Sequence, residues 1–592
     1  MASAHIKDFI GMQYPREGND YEKGDYRFFN QQYATSSYID VLDKDKKPIH
    51  DLNPACIFRP KDDNDIKHVI KYAKKNKIGI AIKSGGHQYS GASSCGDKNV
   101  QLDLSNTYRD LRIIDKPKTK VADDKVLVFA GVSNHLVEFL AYLSSHKLFV
   151  PTGQCAYVCL GGHGQTGGYG QLGRSFGLLG DYITDIRMIN HEAKVVHVNK
   201  DEDPELFNAI RGGSPGNFGV ITHYAISALK AKSYMGIENT ITTSGSPEPQ
   251  KFRGPRGIKA IWVFSEKVLK NLLSVVARMS DEGTTPRGFD LCVNVLSAEF
   301  DIVQMFPALK DDKEWQGLQD VISKLPEAIQ ALLQKKVPPT IILYAQWCPV
   351  GYKQKYDESV DAWFQQFRDL NDRDKFSVIQ FHEQAADMAD MMNLWLFPKR
   401  REFPQPYVKR TYATNSRTLG KDGWVDALVS RLKMICDPYE KLDDANEKPI
   451  DNPRYDNCKL SAQIQCFGGD HSMFYNNRDN GAAYSWRDST VLQTVDCWYR
   501  NKGHPTYELS QKIANQWQTE NDSIMIGANS CFSKTNRRVL WGSWGDWDMA
   551  KPEVWKTYYE DEAKYHSLGK VRAAADPEST FTANPFAIAR QF

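Results

Sequence analysis

Cys155-Ala156-Tyr157-Val158-Cys159-Leu160-Gly161-Gly162-His163-Gly164-Gln165-Thr166-Gly167-Gly168-Tyr169-Gly170 sets thiols, an imidazole and a phenol among glycines. Upstream, Ile82-Lys83-Ser84-Gly85-Gly86-His87 ends an apolar run in a second imidazole beside glycine. Glycine lets backbone amides approach a bulky or anionic ligand with no side chain in the way. His87 and Cys155 beside such amides predict a closely held cofactor and two groups able to bond it covalently.

Outward from these runs, strand and helix signals alternate. Ala55-Cys56-Ile57-Phe58 reads as a strand, and Asp62 to Lys75 carries Ile66, Val69, Ile70 and Ala73 at helical spacing. Ile78 to Ile82 is a strand running into the His87 loop. Val126-Leu127-Val128-Phe129 predicts another strand, Asn134 to Leu148 a helix, and Ile183 to Val198 two strands joined at His191-Glu192-Ala193-Lys194. The polar stretch 1–50 reads as an extended or lightly helical arm. Ser244-Gly245-Ser246-Pro247-Glu248-Pro249 marks a boundary. Beyond it, strands at 341–347 and 460–467 and helices near 264–280, 314–334 and 355–369 predict a second unit, a sheet backed by helices. A last helix pattern, Trp555 to Ala575, stops at Asp576-Pro577. The fold class is α+β, in two domains.

Two familiar readings of the glycine run fare poorly. Gly168-Tyr169-Gly170-Gln171-Leu172-Gly173 matches a dinucleotide fingerprint, but no hydrophobic strand precedes it. Cys155, Cys159 and His163 recur every four residues, but no fourth ligand stands at a zinc-site spacing, so no metal is expected.

The surroundings resemble one family. Ser84-Gly85-Gly86-His87 after a strand, Cys155 before Gly161-Gly162-His163, Gly167-Gly168-Tyr169-Gly170 and Arg174-Ser175-Phe176-Gly177-Leu178 resemble the berberine bridge enzyme-like flavoproteins of the vanillyl-alcohol oxidase superfamily. Arg211 to Thr222 and the tail Asp576-Pro577, Phe581 and Asn584-Pro585 resemble that group's further signatures. The resemblance covers about 51–225 and 555–588 and is loose between them. It implies a PCMH-type FAD-binding fold: an arm over 1–50, a first part of the FAD-binding domain over 51–235, a substrate domain over 236–549 with an antiparallel sheet backed by helices, and a C-terminal return over 550–592. It further implies bicovalent FAD, with His87 on the 8-methyl carbon and Cys155 on ring carbon 6. Ser84, Gly85, Gly86, Gly161, Gly162, His163, Gly168, Gly219 and Val220 then border the cofactor. Two bonds fix the ring in an open site and raise its potential.

The chemistry implied is oxidation of an alcohol carbon: hydride leaves for the flavin while a base takes the hydroxyl proton. Where relatives carry a basic tyrosine, this chain has Trp544. Tyr169 stands as the alternative base, or equally as a packing ring. In the strand after Tyr484-Ser485-Trp486-Arg487, ungapped counting aims Gln493 and Val495 at the flavin and turns Asp496 away; a slip of one residue reverses this. Val158 is small, as in oxidases that admit dioxygen. Trp541, Trp544 and Trp547 around glycine suit stacking on a sugar, or packing of a domain interface, and Tyr484 joins Trp541 and Trp544 as a substrate contact. The expected partners are an alcohol or carbohydrate, mono- or oligosaccharide, with dioxygen giving hydrogen peroxide. A phenolic or allylic alcohol or secondary metabolite, with the enzyme an oxidase or a dehydrogenase, is the alternative. A flavin- or sugar-binding protein with impaired catalysis is a second.

Composition sets bounds. With 592 residues the chain has room for two domains, and 75 basic against 73 acidic residues give no support for nucleic acid or an anionic membrane. No uncharged apolar run reaches membrane-spanning length. Met1-Ala2-Ser3-Ala4-His5-Ile6-Lys7-Asp8 has no signal-peptide pattern, which predicts an intracellular protein, or a secreted one if the numbering is of a trimmed chain. Eleven cysteines is an odd number, so at least one is unpaired or bonded to something else.

Overall fold

The computed structural model describes residues 5–18, 20, 53–87, 92–93, 98–115, 117, 121–243, 246–281, 283–297, 339–368, 370, 379–383, 387–396, 405–439, 452–526, 551–556, 558–559, 561–581 and 587–591. The alternation around His87 folds into a four-stranded sheet. Cys56–Arg59 and Ile80–Lys83 run parallel to Val100–Asp103 between them. The helix Asp63–Asn76 buries Ile66, Val69, Ile70 and Ala73. Asp62 caps it by accepting from the N–H groups of Asn64 and Asp65, and Lys77 ends it in a left-handed conformation. The polar arm gives this sheet an edge, Met12–Pro15, antiparallel to Cys56–Arg59. The buried Asp65 carboxylate anchors that edge through the N–H groups of Ile10 and Gly11, at 2.7 and 2.9 Å.

A second, antiparallel sheet is centred on Val220–Lys230, with Lys125–Gly131 on one side and Ile183–Ile189 on the other. Within the Ser/Gly/Pro stretch read as a boundary, Ser246–Phe252 pairs antiparallel with Asn239–Thr243. The β-branched Thr240, Ile241, Thr242 and Thr243 favour extension, and Pro247 and Pro249 fall on the exposed second strand.

The third sheet has seven antiparallel strands in the order Ile379–Glu383, Arg256–Val263, Thr340–Trp347, Phe289–Leu296, Lys459–Cys466, Val491–Trp498, Tyr407–Thr414. Alternation separates its two faces. Val293, Leu343, Ile464 and Val495 lie on the face that meets the helices Glu266–Asp281, Trp424–Cys436 and Tyr507–Ile526. The opposite face carries Asp290, Asn294, Gln463, Thr494 and Lys409, all polar and buried or nearly so. A polar buried face needs partners, and it finds them in the glycine runs. Arg174 is wholly buried, its guanidinium donating to the carbonyls of Gly468 at 2.8 Å and Phe289 at 3.1 Å. Asp290 accepts from the backbone N–H groups of Arg174 and Ser175, both at 3.0 Å.

The tail returns to the first sheet. Ile80 N–H donates to the Thr580 carbonyl at 2.8 Å, Asn217 donates to the Phe581 carbonyl, and Tyr559 donates to the Gly213 carbonyl. The helix predicted near 314–334 lies outside the described residues. No helix among the described residues is long and apolar enough to cross a membrane.

Candidate functional site

Both glycine runs open onto one cleft. Ser84, Gly85, Gly86 and His87 line it from the first run; Cys155, Val158, Gly161, Gly162, His163, Gly168 and Tyr169 line it from the second. Gly219, Ile221 and Phe581 continue the wall, and Lys409, Gln463 and Thr494 of the seven-stranded sheet close the far side. The cleft encloses a cavity of about 210 Å³. His87 and Cys155 are both half-buried at its surface.

The His87 loop springs from a pinned strand end. Lys83 is buried against Asp103 at 3.3 Å, and Arg59 joins from 3.0 Å. Burial pushes the Asp103 carboxyl up, but the two cations outweigh it and hold it below the usual carboxylate range.

The structure separates the two thiols of the second run. Cys159 is buried, its Sγ within 3.5 Å of the Ser133 carbonyl, and burial pushes its thiol up to about 12. It packs so closely under Gly85 that a Cβ there would lie 2.9 Å from Sγ. Cys155 is the one thiol among the described cysteines that is not buried. His163 braces its loop: the Gly153 N–H donates to Nε2 at 2.9 Å, and the ring is wedged between Gly153 and Gly168. Burial pushes this imidazole down to about 4, so it is neutral near pH 7, with its proton on Nδ1.

The cradle fits a flat, phosphate-bearing cofactor. A Cβ added to Gly162 or Gly216 would meet nothing within 4 Å, so their backbones border open cleft. Glycine at these points keeps side chains out of that space, and the Gly216 N–H donates to Gln165 Oε1 at 2.9 Å.

Tyr169 touches Phe467 and Trp486 edge-on, each with 6.1 Å between centroids. Burial foremost, then the charges of Cys155 and Asp496, raise its phenol above the usual range against a hydrogen bond with Thr494. Near neutral pH it is a hydrogen-bond donor, not a phenolate.

Three expectations need correction. Gln493 lies on the helix face and accepts from Trp424 Nε1 at 3.1 Å; it does not line the cleft. The strand's register turns Thr494 and Asp496 inward, the one-residue slip weighed above. Tyr484 is no cleft residue: it is walled in against Gly180 and Gly212 and donates to the Gly164 carbonyl at 2.7 Å. Val220 points into the core, and its neighbours Gly219 and Ile221 line the cleft instead. Asp496 is outside the lining, paired with Lys409 at 2.9 Å. Trp541, Trp544 and Trp547 lie outside the described residues. Lys409, Gln463 and Thr494 escaped the sequence reading. For Gln463 a signal existed: Ser461, Gln463 and Gln465 alternate with Leu460, Ala462 and Ile464.

Residues 54–199 match the FAD binding domain family. Berberine bridge enzyme-like 19 of Arabidopsis thaliana is 30% identical over 31% of this chain and 31% of its own length, so the match spans about a third of the relative. The carbohydrate oxidase from Microdochium nivale, solved with a substrate analogue, superposes with a TM-score of 0.62 at 16% identity, covering 98% of each chain. Glucooligosaccharide oxidase from Acremonium strictum, described with a 6-S-cysteinyl, 8α-N1-histidyl FAD, superposes with a TM-score of 0.61 at 15% identity, covering 98% of this chain and 97% of its own. Over its FAD-binding region the chain is similar in sequence to berberine bridge enzyme-like proteins, and it shares its fold with solved FAD-linked oxidases.

Proposed function

We propose that the protein is an FAD-dependent oxidase that takes hydride from an alcohol carbon of a mono- or oligosaccharide. The observation that carries this reading is the meeting of His87 and Cys155 in one glycine-walled cleft. His87 and Cys155 would hold FAD there, and once bound it would supply the hydride acceptor and the link to dioxygen that makes hydrogen peroxide the second product. His163 keeps the Cys155 loop in place, and the bare backbones of Gly162 and Gly216 leave room for the pyrophosphate. Val158, small and on the cleft wall, leaves dioxygen an approach. We assign cofactor binding to 51–235 with 550–592, and substrate binding to 236–549. In support, the described sheets share no strand across residue 235.

The substrate side favours a hydroxyl-rich ligand. Gln463 and Thr494 offer amide and hydroxyl groups on the cleft wall, and Tyr169 donates beside them. Such groups position a sugar's hydroxyls for hydride transfer over about 3–3.5 Å.

Acid-precipitated protein should keep its yellow flavin. Peroxide release over a panel of mono- and oligosaccharides, phenolic alcohols and allylic alcohols then reads the substrate class. Flavin lost to the supernatant overturns the covalent assignment, and release confined to phenolic or allylic alcohols overturns the carbohydrate one. Anaerobic bleaching of the flavin without peroxide marks a dehydrogenase, and neither bleaching nor peroxide from any member of the panel marks a binding protein.

A further inference from the structure

Among the described residues that line the cleft, Lys409 is the one lysine, arginine, aspartate or glutamate. It sits directly opposite Asp496 across neighbouring strands, Nζ to Oδ1 at 2.9 Å, and both side chains are 3% exposed. Asp496 is outside the lining, so of the two partners Lys409 is the one that reaches the cavity wall. Thr494, two residues from Asp496 on the same face, and Tyr169 stand on the wall beside it. A buried ion pair stabilises a fold little, and an apolar pair of similar volume often serves as well or better. Its presence on this wall therefore calls for a role other than holding the sheet together.

We propose that Lys409 is the cation of the cleft: the Lys409–Asp496 pair turns its positive end toward the bound flavin and the substrate oxygen, and stabilises the negative charge that builds up there. Hydride carries two electrons with one proton, so its acceptor gains a negative charge whichever group takes the hydroxyl proton. A cation preorganised in a water-poor site is worth most at that moment. Asp496 is then a positioning residue acting through Lys409, not a base in contact with substrate. The proposal rests on the reading of the cleft as a flavin site.

The test is the midpoint potential of the flavin in the holoenzyme, measured for Lys409→Met, Asp496→Asn and the double variant Lys409→Met/Asp496→Leu. Losing the ammonium should make two-electron reduction at least tenfold less favourable, a fall of about 30 mV. Losing the carboxylate alone should move the potential the other way. The double variant should fall between the two single ones, slightly below the parent protein. A residue that only held the sheet in place would move both single variants in the same direction, or neither. Either result overturns the proposal while leaving the flavin site standing. Should the single variants fail to fold, the double variant, with an apolar pair, decides: an unchanged potential overturns the proposal. A parent protein with no visible flavin band overturns the functional reading itself, and this inference with it.

Discussion

Asp290 should cost the folded protein stability at neutral pH, and replacing it should show how much. Its carboxylate is buried on the inner face of the seven-stranded sheet. One oxygen accepts from the N–H groups of Arg174 and Ser175, and the other accepts from Gln346 at 3.3 Å. Burial outweighs these bonds and pushes the group from 3.8 to about 6. The folded chain thus holds this proton more tightly than the unfolded one. The penalty is absent below 3.8, grows as pH rises toward 6, and is complete above that. At about 1.4 kcal/mol per pH unit it reaches about 3 kcal/mol. Asp290→Asn removes it. The amide oxygen can still accept from both backbone N–H groups, and the lost bond from Gln346 returns about 1 kcal/mol. The variant should be about 2 kcal/mol more stable at pH 7.5 and about 1 kcal/mol less stable at pH 4. With an unfolding entropy of about 2.1 cal/mol/K per residue, that is a thermal midpoint about 2 °C higher at pH 7.5 and about 1 °C lower at pH 4. Differential scanning calorimetry at the two pH values reads both. A variant less stable at both, by the same amount, would refute the burial argument and leave Asp290 as a plain hydrogen-bonding anchor.

Other outcomes follow from the cleft. Cys155→Ala and His87→Ala should each keep flavin on acid-denatured chain through the remaining bond, whereas the double variant should release it, as absorbance of the precipitate will show. Gly162→Leu should send a side chain into the open cleft and cut flavin loading at least tenfold, with the circular dichroism of the flavin-free chain unchanged. His163 is depressed from 6.5 to about 4. Its stabilisation is whole above 6.5 and should fall by about 3 kcal/mol as pH drops to 4, a dependence that His163→Phe should abolish in denaturant titrations.

Much of the first half was legible because its signals are local. Helix Asp63–Asn76 repeats its apolar residues at helical spacing, and the strands that flank it are short apolar runs. The meeting of the His87 and Cys155 loops is another matter. No spacing along the chain says that residues 68 positions apart share one cleft; the quoted motifs said so only through their likeness to a family. The edge strand Met12–Pro15 was illegible for a different reason. An edge strand with only Tyr14 packed inward needs no apolar period, and its backbone is held by Asp65, a carboxylate from another element.

The inner face of the large sheet shows where one-dimensional reading stops. In Val491–Trp498 every residue is buried, so burial cannot distinguish its two faces. Ungapped counting chose the odd-numbered residues for the cleft, and the structure gives it the even-numbered ones. The deciding facts lie in other strands. Thr494 pairs with Gln463 on one side and Thr411 on the other, while Gln493 meets the indole of Trp424 from a covering helix. Polar residues that pair across three strands define a face that must find hydrogen-bonding partners or line a cavity. That register sets Asp496, which sequence reasoning offered as a base, opposite Lys409, and of the two only Lys409 lines the cleft.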